Sequence, residues 1–151
     1  MNIEIIDLPR FTDPRGNLSV VEGNINVPFD IKRVYFTYDV PGGESRADHA
    51  HKELKEFIIA VSGSFTLILD DGREQKEFLL NKPYQGILIN PGIWRRLIDF
   101  SSGAVALVIC SDFYNEEDYI RNFKDFETYC RQRDHWDDSL PHFGESSDSE
   151  G

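Results

Sequence analysis

The chain has 151 residues, 40% of them hydrophobic, with 11 Phe, 6 Tyr and a formal charge of −11. This supports one compact domain with a proper core and is too short for two domains of ordinary size. The negative charge repels a nucleic-acid backbone or an anionic membrane at long range, so neither is expected as a partner.

The opening residues, MNIEIIDLPRF, lack the basic flank and long apolar stretch of an export signal. No later segment offers about 18 uninterrupted apolar residues. Cys110 and Cys130 stand at no metal-ligand spacing and suggest no disulfide framework. A reducing cytoplasm is the expected compartment.

From residue 3 to residue 112 short apolar runs alternate with period two and are broken by turn signals, which predicts an antiparallel sandwich or barrel. The clearest hairpin is SFTLILDDGREQKEFLL: Phe65, Leu67 and Leu69 alternate with Thr66 and Ile68 before Asp70-Asp71-Gly72 reverses the chain. Further strands follow through GILINPG, IWRRLIDF and AVALVICS, giving roughly eight or more, as a jelly roll requires. The period then changes to 3.6, with Tyr119, Phe123, Phe126 and Cys130 on one helical face. Asn115 as cap and Glu116, Glu117 and Asp118 as an acidic first turn predict that a helix begins there. A folded domain is expected over residues 1–130, and an acidic, disordered tail over 131–151. His135 and His142 fall in that tail as solvated side chains without a role.

The remaining histidines, His49 and His51, lie one residue apart in GESRADHAHKELKEFIIAVSG. On a strand, side chains at i and i+2 share a face, so both imidazoles enter the same cavity if that face lines a barrel. Gly43, His49, His51, Glu56 and Gly63 fall at the anchor spacings of the first cupin motif, which this stretch resembles. The second cupin motif carries a metal-binding histidine three residues after a Pro-Gly turn. Here Pro91 and Gly92 make the turn, but Arg95 takes the histidine's position. A guanidinium has no lone pair to donate and its charge repels a cation, so no metal is expected. The pair then reads as acid–base machinery for proton abstraction beside a carbonyl, since imidazole titrates near pH 6.5. Glu56 could orient an imidazole, pair with an arginine or act as a third ligand.

The stretches DPRGNLSVVE, FDIKRVYFTYDVPGGESRADHAHK, IAVSGSFTLILDDG and LINPGIWRRLIDFSSGAVALVICSDFYNEEDYIRNFKDF resemble the sugar 3,4-ketoisomerase family of cupins over residues 3–127. The resemblance implies an all-β cupin jelly-roll barrel with a short C-terminal helix, acting on dTDP-4-keto-6-deoxyglucose to move its ketone from carbon 4 to carbon 3. It implies His51 as proton carrier, His49 as an assisting acid or orienting group, and Tyr35 as a helper in the site. Arg15 and Arg46 are implied contacts to the nucleotide-sugar, with no metal or other cofactor. It also implies a homodimer that exchanges N-terminal strands, supplying deoxysugar for a surface glycan. Independently, a diphosphate calls for planar bidentate donors, which Arg15, Arg33, Arg46, Arg95 and Arg96 can provide. A tyrosine hydroxyl can steady a developing enolate oxygen. Two departures stand out: Ala47 where the family commonly has Gly, and Arg95 where several relatives have His. The alternatives are a metal-dependent cupin using His49, His51 and Glu56, a nucleotide-sugar epimerase, and a non-catalytic sugar-binding cupin.

Overall fold

A computed structural model describes residues 1–139. Two five-stranded antiparallel sheets form the body. One has the order β1 (Glu4–Asp7), β9 (Gln85–Ile89), β6 (Glu56–Ser62), β11 (Val105–Cys110), β4 (Arg33–Thr37). The other has the order β12 (Tyr119–Ile120), β5 (Arg46–His51), β10 (Trp94–Ile98), β7 (Phe65–Asp70), β8 (Gln75–Leu80). A separate hairpin, β2 (Arg10–Asp13) with β3 (Gly16–Ser19), is exposed along both strands. The jelly roll expected from the alternation is what forms.

The inner faces of the two sheets share one core. Ile58, Ala60, Ile87, Ile89, Ala106 and Val108 meet Phe65, Leu67, Leu69 and Leu97, all nearly inaccessible to water. The first sheet is also covered on its outer face, where Phe57, Ile59, Leu88 and Ile109 pack against Leu8, Val27 and Phe29. Burial on both faces explains why FIIAV and VALVIC are continuous apolar runs while β7 alternates. At the β7–β8 turn Gly72 has φ +94°, and a Cβ there would lie 2.6 Å from the Cys130 sulfur. The turn therefore needs glycine both for its backbone and for the helix packed on it.

The C-terminal helix α1 (Phe123–Ser139) starts later than the acidic residues suggest. Asn115 caps only a 3-10 turn, Glu116–Asp118, after which Tyr119 and Ile120 pair as β12 with His51 and Ala50. Asn122 is the cap of α1, its Oδ1 accepting from the amides of Lys124 and Asp125. Phe126 and Cys130 are buried against Trp94, Ala50 and Ile120, so the helix closes one end of the second sheet. It also continues past residue 131, because Arg133 donates to the carbonyls of Gly92 and Asp71 and anchors a turn with no apolar periodicity. The tail expected over 131–151 is thus helical as far as Ser139. Residues 140–151, His142 among them, lie outside the described residues, as does the side chain of His135. Among the described residues no helix is long and apolar enough to cross a membrane.

Candidate active site

The site lies between the two sheets at one end of the barrel. β5, β10 and β12 supply His49, His51, Arg95 and Tyr119; β4, β6 and β11 supply Tyr35, Glu56 and Cys110. A cavity of about 350 Å³ opens there, lined by His49, Tyr35, Arg33, Arg46, Arg95 and Arg121 among others.

The approach to the histidines is bent. On β10, Arg95 faces His49 and Leu97 faces Arg46, so β5 carries one extra residue between these pairs. The bulge centres on Ala47, which takes φ +77°, a left-handed conformation that L residues other than glycine rarely adopt. This is the position where the family resemblance expects Gly. The bulge brings Arg46, Asp48 and His49 together on the cavity wall, and Asp48 is steadied by the Ser45 hydroxyl and by Arg96 at 3.3 Å. Arg96 is therefore occupied by Asp48.

His49 and His51 project together, as i and i+2 spacing requires, with Nε2 to Nε2 3.0 Å apart and the rings edge to face. Tyr119 packs against both, at 4.9 and 4.3 Å between ring centroids. His51 Nδ1 meets Asp118 Oδ2 at 2.9 Å. His51 is fully buried and borders a separate hollow behind the site, whereas His49 lines the main cavity. Burial foremost, then the Arg95 charge, pushes His49 down to about 2 and His51 down to about 3, so both rings are neutral at neutral pH.

Beneath the pair, Glu56 is the hub. Its Oε1 accepts from Arg95 Nη1 at 2.5 Å, and its Oε2 accepts from the Tyr35 hydroxyl at 3.1 Å and the Cys110 thiol at 3.5 Å. Glu56 and Arg95 are each 1% exposed. Burial and the Glu56 charge raise the Tyr35 phenol and push the Cys110 thiol up to about 12, so both stay protonated and donate. Arg95 also donates to the Ile93 carbonyl. It is thus mainly the counter-charge of Glu56 rather than a free phosphate donor.

Ligand atoms of His49, His51 and Glu56 all lie within 4.8 Å of one another, the spacing of a cupin metal site. The set nevertheless does not fit a metal. The fourth position is a guanidinium bonded to the carboxylate; it has no lone pair to donate and its charge repels a cation.

Of the expected anion contacts, Arg46 and Arg33 line the cavity. Arg33 stacks 4.8 Å over the Tyr35 ring, and its Nη1 and the Thr37 hydroxyl are buried without a hydrogen-bond partner among the described residues. Arg15 is not at this cavity: it sits at the tip of the β2–β3 hairpin, bound to Asp13 and exposed. Asp118, Tyr119, Arg121 and Thr37 are the site residues that sequence reasoning missed. The first three sit where the pattern reads as a helix start, and only their pairing with β5 brings them in.

A family model described as FdtA: WxcM-like, C-terminal matches residues 1–131. The chain is similar to a TDP-4-oxo-6-deoxy-alpha-D-glucose-3,4-oxoisomerase of Aneurinibacillus thermoaerophilus, at 42% identity over 85% of this chain and 93% of that one. Among solved structures it is similar to a mutant of the 3,4-ketoisomerase QdtA from Thermoanaerobacterium thermosaccharolyticum in complex with TDP-4-keto-6-deoxyglucose. That match has a TM-score of 0.85 at 38% identity, covering 87% of this chain and 96% of that one. It is also similar to the WlaRB TDP-quinovose 3,4-ketoisomerase from Campylobacter jejuni, with a TM-score of 0.80 at 42% identity over 84% and 98% of the two chains. With its jelly roll, its paired histidines and matches that span its described domain, the chain belongs to the FdtA family of cupin-type sugar 3,4-ketoisomerases.

Proposed function

We propose that the protein is a nucleotide-sugar 3,4-ketoisomerase that converts dTDP-4-keto-6-deoxy-D-glucose to the 3-keto-6-deoxyhexose by histidine-mediated proton transfer. The observation that carries this reading is the neutral, mutually hydrogen-bonded His49–His51 pair at the wall of a cavity with arginines around its mouth. The names of the relatives supply the substrate class.

The family resemblance implies His51 as the proton carrier, with His49 assisting. Burial favours the reverse order, because His49 borders the cavity and His51 stands behind it. In this mechanism His49 takes the carbon 3 proton and the electron pair passes through the new carbon 3–carbon 4 double bond onto the carbon 4 oxygen. The proton of the carbon 3 hydroxyl moves to that oxygen, and as the carbon 3 oxygen becomes the ketone, carbon 4 takes the proton back from His49. As His49 becomes charged, the proton it shares with His51 shifts onto the second ring. Tyr35 gives its one proton to Glu56, so its oxygen is left to accept from a hydroxyl of the sugar, and Arg33 and Arg46 receive the diphosphate.

The exposed apolar residues Phe11 and Leu18 on the hairpin, and Val34 and Phe36 on the outer face of edge strand β4, support a homodimer with exchanged N-terminal strands. Such an exchange would carry Arg15 of each chain toward the cavity of the other. Both cysteines are buried free thiols, consistent with a cytoplasmic enzyme feeding deoxysugar into a surface glycan.

The test is incubation of chelator-treated protein with dTDP-4-keto-6-deoxyglucose in heavy water, followed by proton NMR. A 3-keto sugar is expected, with its carbon 4 configuration read from the same spectrum. His49→Asn should bind the sugar and fail to convert it. Epimerised 4-keto product, or activity only on adding a divalent metal, refutes the assignment.

A further inference from the structure

The two rings of the pair do not by themselves say which nitrogen carries which proton; a neighbour must decide it. Of His51's two nitrogens, Nε2 faces His49 and Nδ1 faces Asp118 Oδ2 at 2.9 Å. An ionised carboxylate can only accept a hydrogen bond. His51 therefore carries its proton on Nδ1, its Nε2 holds a lone pair, and the hydrogen between the rings belongs to His49.

Asp118 is built to hold that contact. Its Oδ1 accepts from the Glu53 amide at 2.7 Å, its Oδ2 also accepts from the Leu54 amide at 3.2 Å, and its carbonyl accepts from Lys52. Its own amide donates to the Asn115 carbonyl, closing the 3-10 turn that Asn115 caps. The carboxylate is only 10% exposed. The next residue, Tyr119, is in register with His51 itself, so the turn cannot move without moving the ring.

We propose that Asp118 is a positioning residue for the isomerisation: it fixes His51 as the Nδ1–H tautomer and holds the charge when the shared proton moves from His49 to His51. The inference rests on the reading of His49 and His51 as the acid–base pair. In the step that moves the proton, the His49 Nε2–H bond breaks as the His51 Nε2–H bond forms. The resulting imidazolium then lies between the Asp118 carboxylate and Glu56, whose Oε2 is 3.7 Å from His51 Nε2.

The test begins with the native protein carrying 15N-histidine, whose ring nitrogen shifts distinguish a protonated from a bare nitrogen. His51 is expected to show Nδ1 protonated and Nε2 bare; the opposite pattern overturns the proposal with no mutant needed. In Asp118→Asn an amide can turn its NH2 toward Nδ1, which reverses the tautomer. A loss in kcat of about 100- to 10,000-fold is expected, with KM changed by no more than about threefold. A folded Asp118→Asn variant with near-native turnover overturns the proposal. Should the native protein fail to isomerise the sugar, the isomerase reading falls, while the 15N pattern still decides the Asp118 contact.

Discussion

Glu56 and Arg95 should behave as one unit whose separation costs far more than its joint removal. Both side chains are 2% exposed and 2.5 Å apart. Charges at about 4 Å attract by about 4 kcal/mol at the effective dielectric of 20 that suits protein sites, and stranding one partner of a buried pair costs about 3–5 kcal/mol. Arg95→Met leaves the Glu56 carboxylate with only the Tyr35 hydroxyl and Cys110 thiol as donors, so a loss of about 3–5 kcal/mol is expected. Glu56→Gln removes the counter-charge and strands the guanidinium on the Ile93 carbonyl, for a loss of similar size. The double variant has no buried charge left and should regain most of it, ending within about 1–2 kcal/mol of the native protein. Urea denaturation of the four proteins at pH 7, with equal slopes, gives the cycle directly. Additive losses in the double variant, or a single loss below about 1 kcal/mol, would refute the claim that the two charges hold each other in the core.

Three further outcomes follow from the same geometry. Ala47→Gly relieves the left-handed φ of +77° at the bulge and should stabilise the fold by about 0.5–1 kcal/mol after the added chain entropy is counted, read as a shift in urea midpoint; a net loss would refute the strain. Stability should fall as pH drops from about 6.5 toward 3, because unfolded histidines take up protons that the buried rings, held at about 2 and 3, refuse. The slope approaches about 1.4 kcal/mol per pH unit for each ring, and a His49→Gln/His51→Gln protein that keeps the native slope would contradict it. Arg95→His replaces the guanidinium with a fourth ligand beside His49, His51 and Glu56, so zinc should bind at one equivalent by calorimetry and raise the melting temperature; no binding would show that Arg95 is not what excludes the metal.

What could be read from the sequence is what local periodicity encodes. The β7–β8 hairpin shows because Phe65, Leu67 and Leu69 alternate inward and Gly72 is required by its turn. The shared face of His49 and His51 follows from the pleat alone, and the misfit at Arg95 from the chemistry of its head group. What could not be read depends on pairings distant in sequence. Glu116, Glu117 and Asp118 look like a helix start, but the Tyr119–His51 register drew the next residues into a strand and gave only Asp118 a buried partner. The end of the helix was equally hidden, since Arg133 extends it through two carbonyls rather than an apolar face. The order of the histidines was hidden too, because residues on one face of a strand can lie at different depths in a cavity.

The charges of the site explain why a guanidinium in the metal position suits this chemistry. A divalent cation beneath the pair would be ligated by both imidazole lone pairs and would remove the rings from proton transfer. Arg95 instead cancels Glu56 through one fixed bond and leaves the ring nitrogens to each other. With that pair neutral overall, Asp118 is the carboxylate bonded to the histidines that has no cation bonded to it among the described contacts. A proton arriving from the sugar adds a positive charge to a buried place where an anion is already waiting. Desolvation holds the resting rings neutral, so they can accept a proton, and Asp118 limits the cost of the charge once they do. The same arrangement makes the return step favourable, since a ring that burial keeps weakly basic gives its proton up readily to carbon 4.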